Sequence, residues 1–281
     1  MTPAKAPPEI FDTHRLTLAR KRAAKRPQSF LLERCLEDLS ERLLDVNRMF
    51  ENALIIGDNV PIADVLSRLP ADKITKLSSC KGIFDLPTET NFDLVMSLLR
   101  LQSENDLPGA IIQMRRKLRP DGLFLGAVFG GDTLMELRQV FYKTDEALLG
   151  GLAPHIYPMA SYSQLAGLLS RAGLNQPVSD TDRFTVFYSV LKTLISDLRD
   201  LGETNALLSR SRKLLTPNYW RALETHYAKH YARDDGKLMC SFEILWLTGW
   251  APHESQQKPL KPGSAKMRLE DAIKNTGPNK P

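Results

Sequence analysis

The sequence has few cysteines, no long apolar run and little glycine where a nucleotide-binding turn would need it. Cys35, Cys80 and Cys240 are its three cysteines in 281 residues, widely spaced and without a CxxC pair. No zinc set can be built from them, and ordinary thiols in a reducing compartment are the expectation. No apolar stretch approaches the ~20 residues of a membrane span. The first ten residues hold one Lys and three Pro with no apolar core, so neither a signal peptide nor a transit peptide is expected. P-loop and nucleophile-elbow patterns are missing. So is the H-x-D or H-x-E pair of the iron facial triad.

Charge is present in quantity and unevenly placed. The chain is 25% charged with a formal net charge of +5. Residues 1–30 carry Lys5, Arg15, Arg20, Lys21, Arg22, Lys25 and Arg26 against Glu9 and Asp12, and the remainder is balanced. This arm reads either as a solvated helix face or as a contact for an anionic surface. No aromatics interleave its cations, which argues against single-stranded nucleic acid, and no DNA partner is expected.

Periodicity predicts a basic helix over residues 12–26 and an amphipathic helix over 28–50. Short apolar runs then alternate with helical patterns. "ALII", "KITKL", "FDLVMSLL" and "LFLGAVF" read as strands. "IADVLSRL" and "NDLPGAIIQMRRKL" read as helices, the second with Asn105 or Asp106 as cap. "RPDG" reads as a turn. Alternation of this kind predicts a parallel sheet covered on both faces. Thr133 and Glu136 have capping-box spacing for the next helix. "SYSQLAGLLSRAG" is a further helix, "RFTVFY" a strand, 189–201 and 216–231 helices, and "CSFEILWLTGW" a long strand. The last thirty residues hold five Pro and predict a mobile tail.

Several polar residues are candidates for function. His226 and His230 have i, i+4 spacing but lack the metalloprotease glutamate, so they read mainly as helix surface, and no metal is expected. His155, between Pro154 and Ile156, is either a general base or substrate contact, or a residue that fixes its loop. Asp132 after two glycines is either a cap or a ligand contact. His253 and Glu254 read as a tie between tail and body. Trp220, Trp246 and Trp250 read as core.

The order of strands and helices, with "NFDLV" and "LRPDGLFL", is similar to the class I S-adenosylmethionine (SAM) methyltransferases. A narrower resemblance rests on "IFDTHRLTLARKRAA", "ERLLDVNRMFENAL", "NDLPGAIIQMRRKLRPDGLFLGAVFGGDTLMELR", "PHIYPMASYSQLAGLLSRAGLNQPVSDTD" and "LTGWAPHESQQKPLKPGSA". These segments, spanning residues 10 to 265, resemble the methyltransferase-like mitochondrial complex I assembly factors described as arginine hydroxylases, and their bacterial relatives. The resemblance implies an α/β fold, a Rossmann-like class I methyltransferase sheet with an N-terminal helical arm and helical insertions before a terminal hairpin. It implies a basic arm and helices over 1–50, a methyltransferase-like domain over 51–250 and a tail over 251–281. It implies SAM as cofactor and a complex I subunit as partner, with an arginine of a protein as the modified group. The alternative is a non-catalytic assembly protein with a degenerate SAM site. A cytoplasmic location, peripheral at the inner membrane, is expected.

The cofactor contacts implied by the resemblance fall at Gly57, Asp58, Asn59, Asp85, Leu86 and Ser97, and the substrate or partner contacts at Asp132 and His155. The family's loop carries an acid in the first strand and then G-x-G-x-G. Here Ile55 replaces the acid, Gly57 keeps the first glycine, and Asn59 and Pro61 replace the others. Asn tolerates a left-handed turn, whereas Pro has no N–H to offer a ligand. The ribose-gripping acid after the second strand is also missing, with Lys76, Ser78 and Ser79 nearby. A hydroxyl is a weaker acceptor than a bidentate carboxylate.

Overall fold

A computed structural model describes residues 8–57, 60–68, 74–80 and 82–257. Two helices lead the chain, α1 (Thr13–Ala23) and α2 (Phe30–Asp45), followed by β1 (Phe50–Ile56). Asp12 caps α1 by accepting from the Arg15 amide at 3.0 Å. α2 stops short of the predicted residue 50, because Phe50 is already in the first strand and fully buried there. Next come α3 (Ile62–Arg68), β2 (Ile74–Cys80), β3 (Phe92–Leu98), α4 (Leu107–Lys117) and β4 (Leu118–Phe129). The chain continues through α5 (Met135–Leu149), α6 (Tyr162–Arg171), β5 (Asn175–Tyr188), α7 (Leu191–Leu201), α8 (Pro217–Tyr231) and β6 (Leu238–Trp250). No helix among the described residues is long and apolar enough to cross a membrane.

The six strands form one sheet in the order β2-β1-β3-β4-β6-β5. The first four are mutually parallel where they pair, and β6 runs antiparallel to both β4 and β5. This is the expected Rossmann-like methyltransferase arrangement, a parallel block closed by an antiparallel pair. Two details differ from expectation. "NFDLV", the fourth strand of the family pattern, forms the third strand among the described residues. α7 and α8 lie inside the connection between β5 and β6, so the terminal pair is not a tight hairpin and these helices do not precede it.

Strand alternation sorts the core into two layers. Ala53, Ile55, Leu94 and Met96 face a layer completed by α2, α5, α7 and α8. Leu54, Ile56, Val95 and Phe124 face the layer under α4 and α6. The "RPDG" turn is absorbed into β4 as an irregularity: Asp121 takes a left-handed backbone with φ 62°, and the register shifts opposite Phe92 and Leu94. Arg48 and Gln256 hold the Asp121 carboxylate at 2.8 and 2.9 Å. Gln256 also donates to the Ala251 carbonyl. Residues 251–257 are therefore tied to the body by Gln256 and by the Ala251 backbone, which pairs with Asp121 and Gly122, in place of the expected His253–Glu254 pair. His253 bonds within its own turn, to Ser255 and Gln256.

The basic arm is partly consumed by the fold. Arg20 is 7% exposed and donates to Ser103 at 2.7 Å. Arg15 donates to the Asn205 carbonyl, and Arg26 pairs with Asp200 and Ser196. Lys21, Arg22 and Lys25 stay exposed.

Asp93 clamps the parallel block. Its carboxylate is fully buried and accepts from the backbone amides of Glu51 and Asn52 at 2.7 and 2.9 Å, with Arg119 at 3.2 Å. Removing it takes the acceptor from two strand amides and breaks the Arg119 ion pair. Asp93→Ala is expected to lower unfolding stability by about 2–4 kcal/mol, measured by urea denaturation. A loss of less than about 0.5 kcal/mol, within the range of an ordinary surface change, would refute the clamp.

A candidate ligand cavity at the carboxyl edge of the sheet

The parallel strands all end on one edge, and α/β folds bind ligands outside that edge. After Phe129 the chain turns through Gly130-Gly131-Asp132-Thr133. A Cβ on Gly130 would sit 2.2 Å from the Glu243 carboxylate, so the glycine is required by packing. Glu243, on β6, accepts from the Asp132 amide and from Arg183. Thr133 exchanges two hydrogen bonds with the Glu243 backbone, and Glu136 accepts from the Ser241 amide and hydroxyl. The predicted capping box is thus not formed. Both of its side chains reach across to β6, and α5 starts without a side-chain cap after Leu134 at φ 58°. Asp132 does not cap either; it is exposed and pairs with Arg183 at 3.1 Å.

Beyond this turn a cavity of about 420 Å³ opens. Phe129, Leu137, Phe141, Ile156, Leu198 and Trp220 supply its apolar wall. His155 lines it, whereas Asp132 does not. The structure therefore separates the two predicted substrate residues. One belongs to the β5–β6 ion network and the other to the cavity.

His155 is held from behind by Asp145, a carboxylate of α5 with no exposed surface. Asp145 accepts from His155 Nε2 at 3.0 Å, from the Ala153 amide at 2.9 Å and from the Tyr219 hydroxyl of α8. A carboxylate only accepts, so Nε2 carries the proton. Nδ1 has no partner among the described residues. The ring stacks on Phe141 with centroids 4.1 Å apart. This geometry fixes the loop and also presents an oriented imidazole, so both sequence readings of His155 are realised at once.

Sequence reading missed Asp145 and Tyr219. Their partners lie 10 and 74 residues away, and an acid within a helical pattern carries no local signal of burial. His230 lies beside Lys143, and its pKa is lowered by burial and then by that neighbour. Among the described residues no metal-binding cluster occurs.

Of the predicted cofactor residues, Gly57 follows β1, two strands from β4, and Ser97 lies on β3, paired with Gly126 of β4. A Cβ on Gly57 would lie 2.6 Å from Val60 Cγ2. Ile55, in the place of the acid, is fully buried core. Ser97 pairs in register with Ile56, is 0% exposed, and its hydroxyl has no hydrogen-bond partner among the described residues. Asp85 is exposed in a short 3-10 turn, and Leu86 behind it is half-buried. Asp58 and Asn59 lie outside the described residues. Gly57, with the unpartnered Ser97 hydroxyl beside it, fits a polar ligand at this edge, with a smaller donor set than the family pattern implies.

No family model matches the chain. The mitochondrial arginine-hydroxylase NDUFAF5 of Danio rerio is 36% identical over 265 residues, covering 87% of this chain and 82% of the relative. The Homo sapiens protein of the same name is 34% identical over 91% of this chain and 81% of its own. This chain belongs to the NDUFAF5 methyltransferase-like family. The chain is also similar to the malonyl-[acyl-carrier protein] O-methyltransferase of Xylella fastidiosa, 32% identical over 85% of this chain and 71% of that one. Among solved structures, a putative methyltransferase from Bacillus halodurans has a TM-score of 0.46 at 12% identity, over 77% of this chain and 99% of that one. That likeness is loose, and the fold assignment rests on strand order and on the sequence relatives.

Two predictions follow from the buried polar groups around the cavity. Asp145→Ala strands the Tyr219 hydroxyl, the imidazole and an amide, and is expected to cost about 3 kcal/mol. The check is urea denaturation followed by tryptophan fluorescence, Trp220 being in the wall; an unchanged midpoint contradicts it. Burial also raises the phenol pKa of Tyr157, Tyr188, Tyr219 and Tyr227. The unfolded phenols ionise near pH ~10 and the folded ones above that. This contribution to stability is therefore complete below pH ~10 and is lost as pH rises past it. Thermal melting between pH 8 and 11 is expected to show a steepening fall at the alkaline end, and a flat profile would contradict it.

Proposed function

We propose that this chain is a SAM-dependent methyltransferase-family protein that acts on a protein-borne group during assembly of respiratory complex I. The observation that carries the reading is the shared carboxyl edge. Gly57 and Ser97 stand at the ends of β1 and β3, and the cavity with its oriented imidazole stands beyond β4. The relatives' names carry two chemistries, arginine hydroxylation and O-methylation of malonyl-[acyl-carrier protein].

Gly57, Ser97, Asp85 and Leu86 are the described residues that would hold the cofactor. SAM supplies an electrophilic methyl group on its sulfonium. The protein's part is to align the acceptor, which is the main catalytic contribution in such a transfer. His155 holds a proton on Nε2 toward Asp145 and offers Nδ1 as the base for an acceptor proton. The apolar wall keeps water away from an acceptor seated there.

With Ile55 in place of an acid, weakened affinity follows. Calorimetric titration is expected to give a Kd on the order of 100 µM for SAM and for S-adenosylhomocysteine, about −5.5 kcal/mol. Ser97→Ala should weaken it several-fold if the free hydroxyl meets the ligand. Binding of neither ligand at millimolar concentration would overturn the cofactor reading. The protein would then be an assembly protein that binds its partner without methyl transfer, a reading that buried Ile55 favours.

A further inference from the structure

The cavity's charge and its wall have opposite characters. Five cations line it, Arg15, Arg22, Arg199, Arg210 and Lys213, against one acid, Glu203. Glu203 already accepts from Gln102 at 3.1 Å. Arg15 and Arg210 give part of their hydrogen bonding to the Asn205 and Leu207 carbonyls and to Asp12. Arg22, Arg199 and Lys213 are exposed and have no partner among the described residues. They come from three separate segments, α1, α7 and the chain before α8, so their convergence is a product of the fold and not of the basic run in the sequence.

Deeper in, the polar groups other than His155 Nδ1 are already spent. Tyr157 donates to the Thr204 carbonyl at 2.6 Å, Thr133 is bonded both ways to Glu243, and Asn205 bonds Pro154 and Leu207. What remains for a ligand is hydrocarbon and aromatic surface with one imidazole nitrogen, His155 Nδ1. A pocket of this kind gains from burying an apolar body, while a few placed polar groups fix its orientation. Here those polar groups are cations at the entrance. A guanidinium or ammonium entering would meet like charge there, whereas an anion would complete three unpaired cations.

We propose that this cavity binds an amphiphile with an anionic head, a carboxylate or phosphate, and an apolar chain. The head lies against Arg22, Arg199 and Lys213, and the chain lies along Phe129, Leu137 and Trp220. This goes beyond the proposed function: it concerns what the cavity binds and does not require that the bound molecule be the methyl acceptor. The binding itself is tested without cofactor, so the two fail separately.

The experiment titrates the full chain with ligands of one chain length, below their micelle concentrations. Decanoate and decyl phosphate are the anionic probes, decyl maltoside the neutral one and decyltrimethylammonium the cationic one. Trp220→Phe identifies the fluorescence signal that comes from the cavity. Both anions, or one of them, are expected to bind at least about tenfold more tightly than the neutral probe, and the cation least. The better of the two anions identifies the head. Raising salt from 50 to 500 mM should erode the anion's advantage. Arg22→Glu with Arg199→Glu should abolish it while leaving the circular dichroism spectrum unchanged, because both side chains are exposed. The single variant Lys213→Glu gives a second reading if the pair disturbs folding. Equal binding of neutral and anionic probes, tighter binding of the cation, or no binding of any probe would each overturn the proposal.

Discussion

The carboxylate of Asp145 lies fully buried in α5, and both the loop that follows α5 and the distant α8 depend on it. It takes the Tyr219 hydroxyl from α8, the Ala153 amide from the loop and the imidazole of His155. A buried charge without such partners costs several kcal/mol, so the arrangement holds only as a set. α5 and α8 pack along the cavity with Phe141 and Trp220, and the loop closes it with His155 and Ile156. Because one carboxylate fixes all three, the cavity's shape and the orientation of its imidazole are one structural fact. The apolar wall alone would leave the loop free to slide, since burial by itself has no direction.

A second junction sets where that cavity starts. The chain leaves the last parallel strand and must turn away from an antiparallel neighbour. Glu243 fills the space over Gly130, and Thr133 pairs with the Glu243 backbone as a strand would. The turn is thus continued into β6 by side chains. Asp132 and Arg183 complete that network at the surface. Asp132 reads in sequence as a cap or a ligand contact; in the fold its segment is mainly a splice between β4 and β6, whose far side forms cavity wall through Leu134 and Leu137.

The fold was largely legible in the sequence because the parallel strands are buried on both faces. Such strands are continuous apolar runs, and "ALII", "FDLVMSLL" and "LFLGAVF" are each that. Misreadings occurred where a local signal competed with a distant partner. The helix read up to residue 50 ends at Asp45 because Phe50 is drawn into the sheet core. Thr133 and Glu136 have capping spacing and bond to β6 instead. The first half of β5 was missed because it is an edge strand whose exposed and half-buried residues, from Asn175 on, look like a loop; its pairing with β6 makes it a strand. Of the site, His155 was legible as an isolated polar residue between apolar neighbours. Its supports and the rim cations were not, because convergence of Arg22, Arg199 and Lys213 is a property of helix packing.

The two halves of the carboxyl edge have been treated differently by the sequence. On the cofactor side Ile55 is fully buried core where the family pattern implies an acid, and the space at Gly57 is closed by Val60. On the cavity side the polar groups are placed at some cost. Several like charges are held near one another, and the long side chains of Arg22, Arg199 and Lys213 gain nothing from the fold itself, being exposed and unpaired. Folding alone does not explain a concentration of cations around an apolar opening, since like charges repel and an open apolar wall forgoes burial. A ligand that supplies both an anion and a hydrocarbon body removes both penalties together. The asymmetry therefore leaves the cavity as the part of the carboxyl edge where charge and apolar surface stand most open to a ligand.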